Sequence, residues 1–315
     1  MSALSIDPDR PLRIGTRGSP LALAQAHEAK VRLMAAHGLP EAALVIVPIR
    51  TSGDRTQDRP LSEIGGKGLF TREIEEALLA AEIDIAVHSM KDMPTFQPEG
   101  LAVTCYLPRE DPRDAFVSLE EGSLAALPSG AIVGTSSLRR RAQLRYRRPD
   151  LEVVEFRGNV QTRLRKLREG VADATFLAMA GLRRLGLADL ARAPLQPEDM
   201  LPAVAQGVIG VEQRRDDERV SALLARIHDP DTGRRMAAER AFLAGLDGSC
   251  QTPIAGLADL GGDRLRLRGE ILRPDGTECI AAEIEGGAGE GADLGAALAA
   301  ELRARAPGDF FAEAE

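Results

Sequence analysis

"LRIGTRGSPLAL", residues 12–23, decides the class of the fold. Leu12 to Thr16 reads as a buried strand. Ser19-Pro20 then reads as a helix N-cap followed by proline at the first helical position, where its missing N–H is no loss. The helix is predicted to continue from Leu21 to His37. A strand that runs straight into a helix is half of an α/β unit, so the question is whether the pattern recurs.

It does, through two thirds of the chain. LVIVPIRT (44–51) reads as a second strand, LFTREIEEALLAAE (69–82) as a helix with apolar residues near helical spacing, and IDIAVHSM (83–90) as a third strand before Pro94. A second cycle follows: AFVS (115–118) and AIVGT (131–135) as strands, and LRRRAQLRYRR (138–148) as a helix capped by Ser136 or Ser137. LEVVEF (151–156) is then a strand and NVQTRLRKLREG (159–170) a helix ended by Gly170. DATFLAMAGLRRLG (173–186) is another strand-to-helix passage, and VIGVEQR (208–214) a late strand. This predicts α/β domains with substantially parallel sheets. After about residue 216 a polar helical stretch leads to Cys250. LRLRGEIL (265–272) and ECIAAEIE (278–285) then flank Pro274-Asp275-Gly276 as a hairpin, and ADLGAALAAELRARA (292–306) closes a small α+β unit as a helix.

Composition bounds the function. The chain has 315 residues, enough for two or three compact units, and 44% hydrophobic with 28% charged residues is ordinary for a soluble protein. A net charge of -8 argues against a nucleic-acid binder. No long apolar run suggests a membrane span, and the opening MSALSIDPDRPLR lacks the apolar core of a secretion signal, so the expected location is cytoplasmic. The three cysteines, Cys105, Cys250 and Cys279, form no CxxC pair, and the histidines His27, His37, His88 and His228 form no HExxH, so no metal is expected.

Three strand-to-helix passages carry one chemistry: GTRGSPLAL with Arg17 and Ser19, GTSSLRRR with Ser136, Ser137, Arg139 and Arg140, and EFRGNVQTRL with Arg157, Asn159, Thr162 and Arg163. A helix start offers unpaired N–H groups and partial positive charge, and guanidinium forks added there suit carboxylate or phosphate. One such loop is as readily a plain cap with surface arginines; three together favour an anion cleft. Only four of the 40 basic residues are lysine, which makes Lys67 in IGGKGLF and Lys91 beside Asp92 in HSMKDMP worth marking. Lys67 lacks P-loop spacing, and Lys91-Asp92 reads equally as a solvated pair or as a carboxylate at the mouth of an anion site. Cys250, on a predicted loop, is open to several readings: inert, a nucleophile, a ligand or an attachment point.

Eight stretches in order, IGTRGSPLALAQ, GGKGLFTREIE, DIAVHSMKDMP, REDPRDAF, GTSSLRRRAQL, FRGNVQTRL, AGLRRLG and DGSCQTPIA, resemble the porphobilinogen deaminase (hydroxymethylbilane synthase) family from about residue 12 to the C-terminus. The resemblance implies two periplasmic-binding-protein-like α/β domains with a third, smaller α+β domain. Their expected bounds are 12–107 plus 205–225, 108–204 and 226–315. It implies a monomeric cytoplasmic transferase of tetrapyrrole and heme biosynthesis that joins four porphobilinogen molecules into a linear tetrapyrrole and releases ammonia. Its partner is that small molecule, with no nucleic acid and no membrane. It further implies a dipyrromethane cofactor in thioether linkage to Cys250, which would make the cysteine an attachment point.

By the same resemblance Asp92 is catalytic, stabilising the positive charge left by loss of ammonia and managing protons. Lys91, Ser137, Arg139, Arg140, Arg157, Arg163 and Arg184 hold the cofactor. Arg17, Ser19, Lys67 and Phe70 meet the substrate, Phe70 by packing on a pyrrole ring. Each pyrrole unit carries an acetate and a propionate, so a growing chain needs many arginine forks. Glu63 stands where some relatives carry lysine, and Ala205 where glycine is usual, which predicts a slightly stiffer hinge. Cys105 and Cys279 are expected to be buried and structural. The alternative is a receptor of the binding-protein fold that holds a polycarboxylate or oxyanion, which leaves DGSCQTP and HSMKD without a task; a cysteine hydrolase lacks a partner base.

Overall fold

A computed structural model describes residues 11–55, 68, 70–248 and 252–311. The chain divides into two compact units. One is built from Met1–Arg59, Ile64–Arg109 and Val208–Gly233, and the other from Pro60–Glu63, Glu110–Gly207 and Arg234–Glu315.

The first unit is organised on a five-stranded sheet of order β2-β1-β3-β10-β4. Its strands are β1 (Leu12–Arg17), β2 (Leu44–Ile49), β3 (Ile85–Ser89), β4 (Leu101–Tyr106) and the returning β10 (Ile209–Arg214). Side chains alternate across it as a pleat requires. Ile85 and Val87 join Leu12, Ile14 and Val211 under the helices Pro20–His37 and Glu218–Ala225. Ala86 points the other way, to Ile74 and Leu78 of the helix Arg72–Leu79. β1 pairs in parallel with β2 and β3, but β10 runs antiparallel to both β3 and β4. The expectation of substantially parallel sheets holds for four of the five strands, with one exception: β10, a strand that returns after a long excursion, enters next to β3 from the opposite end.

The second unit repeats the plan with β5 (Asp114–Ser118), β6 (Ile132–Gly134), β7 (Glu152–Val154), β8 (Ala174–Ala178) and β9 (Ala193–Pro194), in the order β7-β6-β8-β5-β9. Here β6 is parallel to β7 and β8, and β5 is antiparallel to β8 and β9. Phe116 and Phe176 pack on one face with Leu144 of the helix Leu138–Arg147. Ala115 and Val117 pack on the other with Leu164 and Leu167 of the helix Val160–Arg168. The same unit holds a three-stranded antiparallel sheet of β11 (Ile254–Gly261), β12 (Arg264–Leu272) and β13 (Cys279–Gly287), the last two forming the expected hairpin. Both five-stranded sheets and the smaller sheet place the chain in the α/β class with an added α+β part, as the sequence pattern predicts.

Two details bear on function. Ala205 adopts φ 62° and Gly207 φ 90°. Ala205 therefore sits where an L-residue carries strain and glycine does not. Cys105 is fully buried, and burial pushes its thiol up to about 12. Cys279 departs from expectation in being only half-buried, at the start of an edge strand; burial and then Glu270 raise its thiol to about 11.

Candidate functional site

In the first unit, Arg17 ends β1, Ser19 caps the helix that follows, and Asp92 lies in the turn Met90–Asp92 directly after β3. Parallel neighbours β1 and β3 end at the same edge, so these side chains meet in a small pocket of ≈ 50 Å³ that is also lined by Phe70 and His88. The Ser19 hydroxyl accepts from the Ala22 N–H at 3.2 Å, the capping role its position predicts. The Arg17 guanidinium stacks over the Phe70 ring at 4.1 Å from its centroid. Lys91 and Asp92 are both half-buried, so the pair is not a freely solvated one.

Behind that pocket lies a buried polar cluster that sequence reasoning missed. His88 Nε2 sits 3.0 Å from Glu212 Oε2, and Glu212 is wholly buried. Glu75 is buried nearby, and burial, then the charge of Glu212, raises its carboxyl above the usual value. The available signal was a polar residue inside an otherwise apolar strand: His88 in IDIAVHSM and Glu212 in VIGVEQR.

In the second unit the helix starts behave alike. Ser137, not Ser136, is the cap of Leu138–Arg147, accepting from the Arg140 N–H at 3.4 Å, while Ser136 accepts from the Phe156 N–H. Asn159 caps Val160–Arg168 through the Thr162 N–H. The two arginines after the Ser137 cap turn inward and are almost fully buried. Arg139 donates to Asp114 Oδ2 at 2.7 Å, to Gln143 Oε1 and to the Leu201 carbonyl. Arg140 donates to Asp114 Oδ1 at 2.7 Å and to the Phe176 carbonyl. Burial alone would push the Asp114 carboxyl up, but the two guanidiniums overcome it and hold it well below the usual carboxylate range. Asp114, in REDPRDAF, had no role assigned from sequence.

Arg157 and Arg163 complete the group. Burial, and then the like charges of Arg140 and Arg157, lower the Arg163 guanidinium to about 10. Arg139 and Arg140 thus meet on one buried carboxylate, and Arg163 stands within electrostatic reach of Arg140, Arg157 and Glu155. Their donors are not all used: Arg139 Nε, Arg140 Nε and Arg157 Nη1 are buried with no hydrogen-bond partner among the described residues. An unmet donor costs about 1–3 kcal/mol, so Arg139 and Arg140, paired to one carboxylate, each keep a donor that an outside acceptor can meet. A small molecule with several carboxylates has that chemistry, and a dipyrromethane bearing acetates and propionates fits it. Arg184 Nη2 donates to the Gly207 carbonyl at 3.1 Å. Lys67 and Cys250 fall outside the described residues, as does Glu63. Among the described residues no cluster suited to a metal ion forms.

Comparison with known proteins converges on one family. Residues 12–222 match the description "Porphobilinogen deaminase, dipyromethane cofactor binding domain", and residues 234–304 match its C-terminal domain. The chain is 72% identical over 305 residues to the porphobilinogen deaminase of Paracoccus denitrificans, covering 97% of each. It is 57% identical over 298 residues to that of Nitrobacter winogradskyi, covering 95% of this chain and 94% of that one. Among solved structures, a periplasmic substrate-binding protein of an ABC transporter from Coxiella burnetii is similar over 70% of this chain and 93% of its own, at 16% identity and a TM-score of 0.42, a likeness too loose to build on. The arginine cluster and the Asp92 pocket both lie inside the cofactor-binding match, and on this evidence the chain belongs to the porphobilinogen deaminase family.

Proposed function

We propose that this protein is a porphobilinogen deaminase, a transferase that joins four porphobilinogen molecules stepwise into hydroxymethylbilane and releases ammonia. The observation that carries the reading is the set of unmet buried donors on Arg139, Arg140 and Arg157 within the stretch that matches the family's cofactor-binding domain. Cys250 holds the dipyrromethane through a thioether. Arg139, Arg140, Arg157 and Arg163 take its carboxylates, with Ser137, Lys91 and Arg184 in support. When bound, the group supplies the pyrrole end to which substrate units are joined.

The residues of the first unit do the rest. Arg17 and Ser19, with Lys67, hold substrate carboxylates at the helix start. Phe70, fixed under Arg17, offers a ring face to a pyrrole. Asp92 is an acid among anion-binding groups, so it weakens the binding of an anionic substrate and earns its place by another task. Loss of ammonia makes the substrate's reacting carbon cationic, and the Asp92 carboxylate stabilises that charge and accepts the proton that condensation releases.

With the reading come a division at 12–107 plus 205–225, 108–204 and 226–315, a monomer, and a cytoplasmic location. Intact-mass measurement of the purified protein under denaturing conditions tests it. A mass increment of one dipyrromethane, mapped by peptide sequencing to Cys250, is the expected result. An active protein of unmodified mass, or an increment on Cys105 or Cys279, overturns it. A receptor for a polycarboxylate would bind reversibly and retain no mass after denaturation.

A further inference from the structure

Asp114 is the first residue of β5 and is fully buried, and none of its chemistry has been used by the mechanism. Its carboxylate accepts three hydrogen bonds. Oδ2 accepts from Arg139 Nη2 at 2.7 Å, and Oδ1 accepts from Arg140 Nη2 at 2.7 Å and from Gln206 Nε2 at 2.8 Å. Each arginine is pinned at a second point as well, Arg139 on Gln143 and the Leu201 carbonyl, Arg140 on the Phe176 carbonyl. What remains on both guanidiniums is the Nε edge, which is buried and unmet. A guanidinium is a rigid planar fork, so fixing its Nη2 corner fixes where Nε–H points. One carboxylate therefore sets the orientation of two forks at once.

We propose that Asp114 is a positioning residue for cofactor capture: it clamps Arg139 and Arg140 so that their free edges are presented together to the carboxylates of the incoming group, without itself touching that group. Gln206, which lies between Ala205 and Gly207 with their positive φ angles, also donates to the Pro112 carbonyl at 2.7 Å. This rests on the proposed function, and it runs against simple electrostatics. Asp114 is negative, so removing its charge raises the positive charge of a site meant for an anion. If long-range attraction governed capture, Asp114→Asn would load as fast as the natural protein or faster. If orientation governs it, Asp114→Asn loads more slowly although the site has become more cationic.

The test uses full-length protein prepared without cofactor, incubated with porphobilinogen, with cofactor acquisition followed by intact mass. Asp114→Asn, Arg140→Lys and the double variant are compared at low and at moderate salt, after circular dichroism and thermal unfolding have shown each to be folded at the assay temperature. Loss of the clamp removes charge-assisted bonds, so loading by Asp114→Asn is expected to slow by about ten- to a hundredfold. Arg140→Lys keeps the charge and loses the fork, and because both variants disable the same element the double is expected to be no slower than the worse single. Gln206→Leu, which removes one bond to Asp114 and no charge, keeps the proposal testable should Asp114→Asn not fold; it is expected to load several times more slowly. Loading at the natural rate by a folded Asp114→Asn or Gln206→Leu overturns the proposal. So does a double variant whose defects multiply, because Asp114 would then act independently of Arg140. Failure of the natural protein itself to gain mass from porphobilinogen would instead sink the functional reading on which the proposal stands.

Discussion

If Arg163 belongs to the proposed cofactor site, its burial is a cost that the cofactor-free protein carries. Its guanidinium is half-buried, and burial together with Arg140 and Arg157 lowers it from 12.5 to about 10. That difference corresponds to about 3 kcal/mol of disfavour for the charged form, and partial solvent access cuts it to about 2 kcal/mol. For a base held below its ordinary value the destabilisation is fully present at pH 7 and is relieved only as pH rises through about 10. Arg163→Met keeps most of the stem and removes the charge. It loses the bond from Nε to the Gly158 carbonyl at 2.9 Å, an exposed acceptor that water serves in its place, at a cost of under about 1 kcal/mol. The cofactor-free variant is therefore expected to be more stable than the natural protein by about 1 kcal/mol, a rise in Tm of about 2–4 °C. With cofactor bound the sign reverses, because the carboxylates that offset the repulsion have lost one partner. Thermal unfolding of both proteins in both states is the assay. A cofactor-free Arg163→Met that unfolds at lower temperature than the natural protein would refute the reasoning and make Arg163 a structural residue.

Three further outcomes are expected. Asp92→Asn should acquire the cofactor, as intact mass reports, yet release ammonia in a single turnover slower by orders of magnitude, since removing one electrostatic stabiliser costs about 10²–10³ in rate; near-natural release would move the role to another acid. Cys250→Ala should fold and keep no covalent mass after exposure to porphobilinogen, with turnover lost. Gly207→Ala should lower stability by about 2 kcal/mol or more, because the residue needs φ 90° and a Cβ there would lie 2.4 Å from the Glu110 carbonyl oxygen; an unchanged Tm would show that the crossover relaxes freely.

The readable part of the fold was the part determined locally. A strand end, a cap and a helix start lie within a few residues of one another, so β1 with Ser19-Pro20, the Ser137 cap and the Asn159 cap could be placed from sequence, and with them the arginines that follow. Three strands escaped. LAVTCY (β4) pairs only with β10, about a hundred residues away in sequence, β9 is two residues long and pairs only with β5, and IAGLADLG (β11) is too rich in glycine and alanine to announce itself. β11 exists because it pairs along its whole length with β12 and is read correctly only once that partner is known. The mixed direction of the large sheets escaped for the same reason: β10 is antiparallel because of where the chain has been, not because of what VIGVEQR contains.

The site divides along the same line. Sequence could list cations at helix starts, but whether a cation faces a ligand or is answered from within depends on carboxylates far along the chain. Arg139 and Arg140 meet Asp114 across separations of 25 and 26 residues, and Gln206 reaches it across 92. His88 and Glu212 are 124 residues apart. A buried charge is tolerated only when it is paired, so each of these meetings is needed for folding before it can serve function. The pairing at Asp114 is deliberately incomplete in one respect: it satisfies the Nη2 corner of each fork and leaves both Nε–H groups and Arg157 Nη1 unmet. Leaving them open holds the protein in a state that an outside acceptor improves, and on that residual demand rests the proposal that these arginines at helix starts take a polycarboxylate.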